Sequence, residues 1–81
     1  MNTYTVHPAE RMNVGLRIKQ LRWQTDETQT EFGKRYEANK SIVGKWESGW
    51  HIPSKGRVQQ MAKDFNTTVE WILYGEGEKD G

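Results

Sequence analysis

Hydrogen-bond donors cluster in one short segment of the chain, "NKSIVGKWESG". Lys40, Ser41 and Lys45 lie there at helical spacing, and their ammonium and hydroxyl groups can bind an anionic partner without any covalent chemistry. Val43 and Trp46 have the i, i+3 spacing of a buried stripe. The segment is therefore predicted to be a helix with one packed face and one polar face.

Charge is unevenly distributed along the chain, although the net charge is only +1. Residues 32–63 contain seven Lys or Arg and two Glu, which gives this part a charge of +5. The remainder contains five Lys or Arg against nine Asp or Glu, a charge of −4. A basic region of this kind indicates a polyanionic partner.

The residue types exclude most enzyme classes. The chain has no cysteine, its two histidines, His7 and His51, stand alone, and no Gly-rich phosphate loop is present. A chain of 81 residues also has little room for a deep pocket. We expect no enzymatic activity, no metal or other cofactor and no small-molecule substrate.

Length and composition predict one small domain, because 81 residues with 33% hydrophobic content support a single core. The absence of cysteine fits a reducing compartment. No apolar run approaches the roughly 20 residues that span a bilayer, and the N-terminus lacks the pattern of a signal peptide. These features predict a cytoplasmic protein with no membrane contact.

Helical periodicity predicts about five short helices and no strand. The first contains Val14, Ile18 and Leu21, with Asn13 as a candidate cap and Pro8 as a possible earlier start. The second helix has a capping box at Thr28 and Glu31 and is predicted to end near Tyr36 or Glu37. The remaining helices are predicted from Asn39 to Gly49, from Lys55 to Asn66 and from Val69 to Gly75. The predicted organisation is an N-terminal arm or extension (1–12), a helical domain (13–75) and a flexible tail (76–81).

A longer segment, "TQTEFGKRYEANKSIVGKWESGWHIPS", resembles the helix-turn-helix of the phage Cro and lambda-type repressor family, also called the xenobiotic-response-element-like family. "RIKQLR" is similar to the family's first helix, and "VEWILYGEG" is similar to its closing segment. The resemblance implies an all-α, lambda repressor-like bundle. Glu37 stands where the family usually has glycine. Either the turn is strained, because a non-glycine residue at positive φ costs about 1 kcal/mol, or its geometry and the angle between the two helices differ slightly from those of the family. Gly33 is the small residue expected where the two helices touch.

The resemblance also implies a DNA-binding role for particular residues. The helix from about Lys40 to Ser48 would enter the major groove of double-stranded DNA. Gly44 either permits close approach of this helix to the groove or is a tolerated surface residue. Trp50 either lies against sugar and phosphate or is partly core, and Asn39 either caps the helix, contacts DNA or does both. The expected base contacts are Lys40, Ser41, Gly44 and Lys45; the expected phosphate contacts are Gln29, Asn39, Trp50, His51 and Lys55.

The function implied is that of a transcriptional regulator, of the Cro type or another repressor, that binds a palindromic operator as a homodimer. Trp71 and Tyr74 are the candidate dimer contacts. Residues 1–12 are a disordered arm, a strand that pairs between protomers or a DNA-tracking extension. The chain is either a small repressor or the DNA-binding part of a longer one. The alternative function is a protein-interaction module, such as an antitoxin or an anti-repressor partner.

Overall fold

The chain forms five helices joined by short turns. The computed structural model describes residues 8–76. Within this range the elements are α1 (Pro8–Gln24), α2 (Gln29–Lys34), α3 (Lys40–Glu47), α4 (Lys55–Asp64) and α5 (Val69–Tyr74), with no strand. The prediction of an all-α bundle of about five short helices is confirmed. None of the helices in residues 8–76 is long and apolar enough to cross a membrane.

Side-chain caps fix the starts of α2 and α3. The hydroxyl of Thr28 accepts from the backbone N–H of Glu31 at 3.1 Å, and the Glu31 carboxylate accepts from the N–H of Thr28 at 2.8 Å. Asn39 Oδ1 accepts from the N–H of Ile42 at 2.9 Å, which starts α3. Both predicted caps are confirmed, and each satisfies amides that have no partner within the helix.

The first helix begins at Pro8, the earlier of the two predicted starts, so that Asn13 lies inside it. Residues 8–12 thus belong to α1. The rest of the predicted N-terminal arm, residues 1–7, and residues 77–81 of the predicted tail lie outside the described residues. At the other end of the domain α5 stops at Gly75, as predicted, and Gly75 has a left-handed φ of 71°.

The core lies between α1 and the four shorter helices. Val14, Ile18 and Leu21 on α1 are completely buried, as the helical spacing predicts. Ile72 of α5 is also completely buried. The other buried apolar side chains are Phe32, Tyr36, Ala38, Val43, Trp46, Val58, Met61, Ala62 and Leu73.

Close contact between α2 and α3 depends on a small residue and on an unusual turn. A Cβ at Gly33 would overlap the carbonyl oxygen of Ala38 and lie 3.0 Å from the side chain of Val43, so the predicted role of Gly33 is confirmed. Glu37 has a φ of 54°, so of the two alternatives for the turn the structure shows the strained, left-handed one. Together these features make α2 and α3 a helix-turn-helix.

Candidate nucleic-acid interface

The outer face of α3 carries exposed donors in one group. Lys40, Ser41 and Lys45 are exposed, whereas Val43 is completely buried and Trp46 is 2% exposed. At about 100° per residue, the three donors fall within an arc of roughly 140°, opposite the two buried side chains. We call this face, defined by Lys40, Ser41, Gly44 and Lys45, the outer face of α3.

Gly44 lies on this face, and no packing among residues 8–76 requires a glycine there. A Cβ at Gly44 would have one neighbour, the Nε2 atom of Gln29 at 3.9 Å, which is an ordinary contact distance. A methyl group therefore fits within the free protein.

Gln29, the predicted phosphate contact at the start of α2, is held against α3. Its Nε2 donates to Glu47 Oε1 at 3.1 Å, and the side chain is half-buried. A carboxamide has a second N–H and an oxygen, so this bond leaves hydrogen-bonding capacity for a further partner. The bond itself was not predicted, because residues 29 and 47 belong to different helices.

An ion pair beneath the interface joins α1 to α3. Arg22 Nε and Nη2 donate to the two oxygens of Glu47 at 2.7 and 3.0 Å, and the two side chains are 12% and 5% exposed. Hydrogen bonding to Glu47 raises the pKa of the Arg22 guanidinium. Arg22 also donates to the carbonyl of Glu27 at 2.9 Å. Glu47 thus joins α3 to α1 through a partner 25 residues away in the chain, a contact that local sequence patterns did not predict.

The backbones of α1 and α3 cross closely beside this ion pair. A Cβ at Gly15 would lie 2.5 Å from the carbonyl oxygens of Trp46 and Glu47. No side chain larger than hydrogen fits there without moving a helix. The role of Gly15 could not be predicted from the sequence, because its spacing on α1 is that of an ordinary helix position.

The segment after α3 presents its polar and aromatic side chains to solvent. Trp50 is 74% exposed, so the alternative that it is partly core is wrong. The N–H groups of Trp50 and His51 both donate to the carbonyl of Lys45, at 2.9 and 3.3 Å. This turn keeps the segment against the end of α3 and leaves the indole outside the core. His51 and Lys55, the first residue of α4, are exposed.

The remaining predicted contacts have different surroundings. Asn39 is exposed and caps α3, as described above. Trp71 is half-buried against the core, and Tyr74 is 40% exposed. Both lie on α5. The structure thus groups the α3 donors with Gln29 and the start of the 50–55 segment, and places the candidate dimer contacts on a separate element.

Comparison with known proteins finds one similar protein that is named for a helix-turn-helix. The chain is 28% identical over 65 residues to the HTH-type transcriptional activator BcrR of Enterococcus faecalis, a match that covers 80% of this chain. The chain spans 32% of the length of that relative. No protein-family model matches the chain, and no solved structure matches it significantly. The similarity is to a helix-turn-helix transcriptional regulator, and it does not narrow the resemblance to the Cro or lambda-type family.

Proposed function

We propose that this chain is a sequence-specific regulator of transcription that binds double-stranded DNA with α3 in the major groove. One observation carries the proposal: Lys40, Ser41 and Lys45 are exposed together on the side of α3 opposite its buried Val43 and Trp46. The similarity to a helix-turn-helix transcriptional activator supports the same function.

The groove fits this arrangement in size and chemistry. A major groove about 12 Å wide admits one α-helix, and lysine donates to O6 and N7 of guanine. Lys40 and Ser41 occupy the N-terminal turn of α3, the part that reaches base edges in proteins of this architecture. Lys45, one turn further on, contacts either a base or a phosphate.

Phosphate contacts on the two sides of α3 would set its position in the groove. Gln29 has an unused N–H on one side, while His51 and Lys55 supply donors on the other. The exposed indole of Trp50 would lie against sugar and phosphate, which gives its exposed apolar surface a partner. Asn39 caps α3 through its oxygen and can donate to a phosphate through its amide nitrogen.

Gly44 provides a prediction that separates stability from binding. Gly44→Ala should raise the free energy of unfolding by about 1 kcal/mol, because alanine is the better helix former and the site has room for a methyl group. If α3 approaches the bases closely, the same methyl group should weaken operator binding about tenfold, within the cost typical of one disturbed base contact. Chemical denaturation and a binding titration measure the two effects. Unchanged affinity would make Gly44 a tolerated surface residue.

A homodimer on a two-fold symmetric operator completes the proposal. One α3 offers few base contacts, and two copies on half-sites about 34 Å apart double them. Tyr74, together with Trp71, is the predicted contact. The outer face of α1 is a second candidate, because Met12, Leu16 and Trp23 share one side of that helix and are 62%, 57% and 59% exposed.

Two variants separate these dimer surfaces. We expect Tyr74→Glu to weaken cooperative binding to paired half-sites about tenfold, a loss typical of an aromatic interface residue, and Leu16→Glu to leave it unchanged. Binding to a single half-site is the control for both variants. If Leu16→Glu weakens cooperative binding and Tyr74→Glu does not, the dimer contact lies on α1. If a variant loses binding to the single half-site as well, the loss indicates a folding defect.

The sign of regulation is a further part of the proposal. The Cro-type resemblance favours repression by occupancy of the operator, and the Enterococcus relative is named an activator. A reporter with the operator first overlapping and then upstream of the promoter distinguishes the two. A Cro-type repressor lowers expression only from the overlapping position, whereas an activator raises it from the upstream one.

Selection from random DNA duplexes tests the proposed function as a whole. We expect enrichment of a motif with two-fold symmetry, and footprinting should place protection on one side of the duplex over both half-sites. A motif without two-fold symmetry would still support DNA binding but would contradict the proposed homodimer. If no sequence is enriched, the alternative of a protein-interaction module, such as an antitoxin or anti-repressor partner, replaces this proposal.

A further inference from the structure

The turn between α2 and α3 contains a strained residue. Glu37 has a φ of 54°, a left-handed conformation that residues other than glycine and asparagine seldom adopt. The next residues are the buried Ala38 and the helix cap Asn39. The conformation at Glu37 therefore sets the direction in which α3 leaves the turn. The backbone N–H groups of Tyr36 and Ala38 close the turn by donating to the carbonyl of Gly33, both at 2.9 Å, and leave the carbonyls of Tyr36 and Glu37 to partners outside the turn.

Arg57, in the first turn of α4, contacts this turn at two consecutive peptide groups. Its Nε donates to the carbonyl of Tyr36 at 3.0 Å, and its Nη2 donates to the carbonyl of Glu37 at 3.3 Å. The guanidinium carbon lies 5.6 Å from the ring centre of Trp46, a buried residue of α3. Arg57 thus joins α4 to the turn and to the packed face of the DNA-binding helix.

The backbone position of Arg57 at the start of α4 fixes where its side chain begins. Ser54 caps α4 and accepts from the backbone N–H of Arg57 at 3.3 Å, so the side chain starts from a fixed helical position. A planar guanidinium can donate to two acceptors and stack on a ring at the same time, which a lysine ammonium cannot do. Within the described residues, no other side chain bonds to the carbonyls of Tyr36 and Glu37.

We propose that Arg57 is a positioning residue: it holds Glu37 in the left-handed conformation and so fixes the orientation of α3 relative to α2. The consequence for DNA recognition rests on the function proposed above. Without Arg57 the turn would relax toward a conformation that glutamate prefers, and α3 would rotate. In this account Arg57 does not contact DNA phosphates, although it adds to the positive charge of residues 32–63.

The first arm of the test uses the free protein and does not require DNA. Residual dipolar couplings of backbone amides measure the orientation of α3 relative to α2 in Arg57→Lys, which keeps the charge and loses the paired bonds. We expect a changed orientation, which returns toward that of the parent when Glu37→Gly is added. Glu37→Gln, which removes the charge without the freedom of glycine, is the matched control and should not restore the parent orientation of α3. Gln59→Ala, on an exposed position of α4, should leave the orientation unchanged.

The second arm measures DNA binding with the selected duplex. Arg57→Lys should lower the ratio of specific to non-specific affinity about tenfold, the size of one disturbed base contact, and Glu37→Gly should recover most of it. Arg57→Ala should leave the slope of log K against log salt unchanged, because no phosphate contact is lost.

Three results would overturn the proposal. They are an unchanged α3 orientation in Arg57→Lys, failure of Glu37→Gly to restore it, and a salt slope reduced by about one unit in Arg57→Ala. If random duplexes yield no motif, the proposed function fails, and the dipolar couplings of the free protein still decide the role of Arg57.

Discussion

Glu47→Ala is expected to lower the free energy of unfolding by roughly 3 kcal/mol, which is a large part of the stability of a domain of this size. The Glu47 side chain is 5% exposed and accepts both hydrogen bonds of the Arg22 fork. Its removal leaves the Arg22 charge largely buried without a carboxylate. It also removes the acceptor that holds Gln29. Urea denaturation followed by circular dichroism measures the loss.

Graded variants show whether the ion pair or the side-chain volume is responsible. Glu47→Gln keeps the shape and a neutral acceptor and should lose less than Glu47→Ala. Glu70→Ala, which removes an exposed carboxylate from α5, should change stability by about 0.5 kcal/mol or less. A Glu47→Ala protein as stable as its parent would contradict the role assigned to the Arg22–Glu47 pair.

Lys40→Ala is expected to reduce discrimination between operator and unrelated DNA by about tenfold, within the 1 to 3 kcal/mol typical of one base contact. Lys40 is exposed in the first turn of α3, and no carboxylate pairs with it among the described salt bridges. Competition titrations with both duplexes measure the ratio of affinities. Stability should change little, because the side chain is exposed.

Lys55→Ala is the matched control for Lys40→Ala. Lys55 is exposed at the start of α4 and is assigned to a phosphate, so its loss should weaken all duplexes alike. The slope of log K against log salt should fall by about one unit. If both variants bind every duplex like the parent, the assignment of contacts is wrong.

Local patterns in the sequence were sufficient to predict most of the fold. The capping box of Thr28 and Glu31, the cap at Asn39 and the buried pair Val43 and Trp46 depend on residues within one turn of each other, and the structure confirms all of them. At Glu37 the resemblance left a strained turn and a different turn geometry as alternatives, and the structure shows the strained one.

Contacts between helices were harder to predict. The partners in the Arg22–Glu47 pair are 25 residues apart, and Arg57 lies 21 residues from the carbonyl of Tyr36. Nothing in the local spacing shows that these side chains meet. Trp50 is a different case: tryptophan is usually mostly buried, and only the turn after α3 leaves it exposed.

The buried contacts that hold the candidate site in place were therefore less predictable than the side chains on its surface. The α3 donors follow from helical periodicity, because a helix with a buried stripe must present its other side chains outward. The network beneath them, in which Glu47 binds both Arg22 and Gln29, requires the three-dimensional arrangement of α1, α2 and α3. The DNA contacts themselves remain predictions.

Affinity cleavage from α3 tests the central claim, that the outer face of this helix enters the major groove. The chain has no cysteine, so Ser48→Cys, at the exposed C-terminal end of α3 and outside the assigned DNA contacts, provides a unique attachment point for an iron chelate that generates hydroxyl radicals. On the selected duplex we predict cleavage centred on each half-site with the strand offset of a major-groove source. A chelate on Glu70→Cys of α5 should leave these positions intact. Cleavage with a minor-groove offset, or equal cleavage from both positions, would contradict the account.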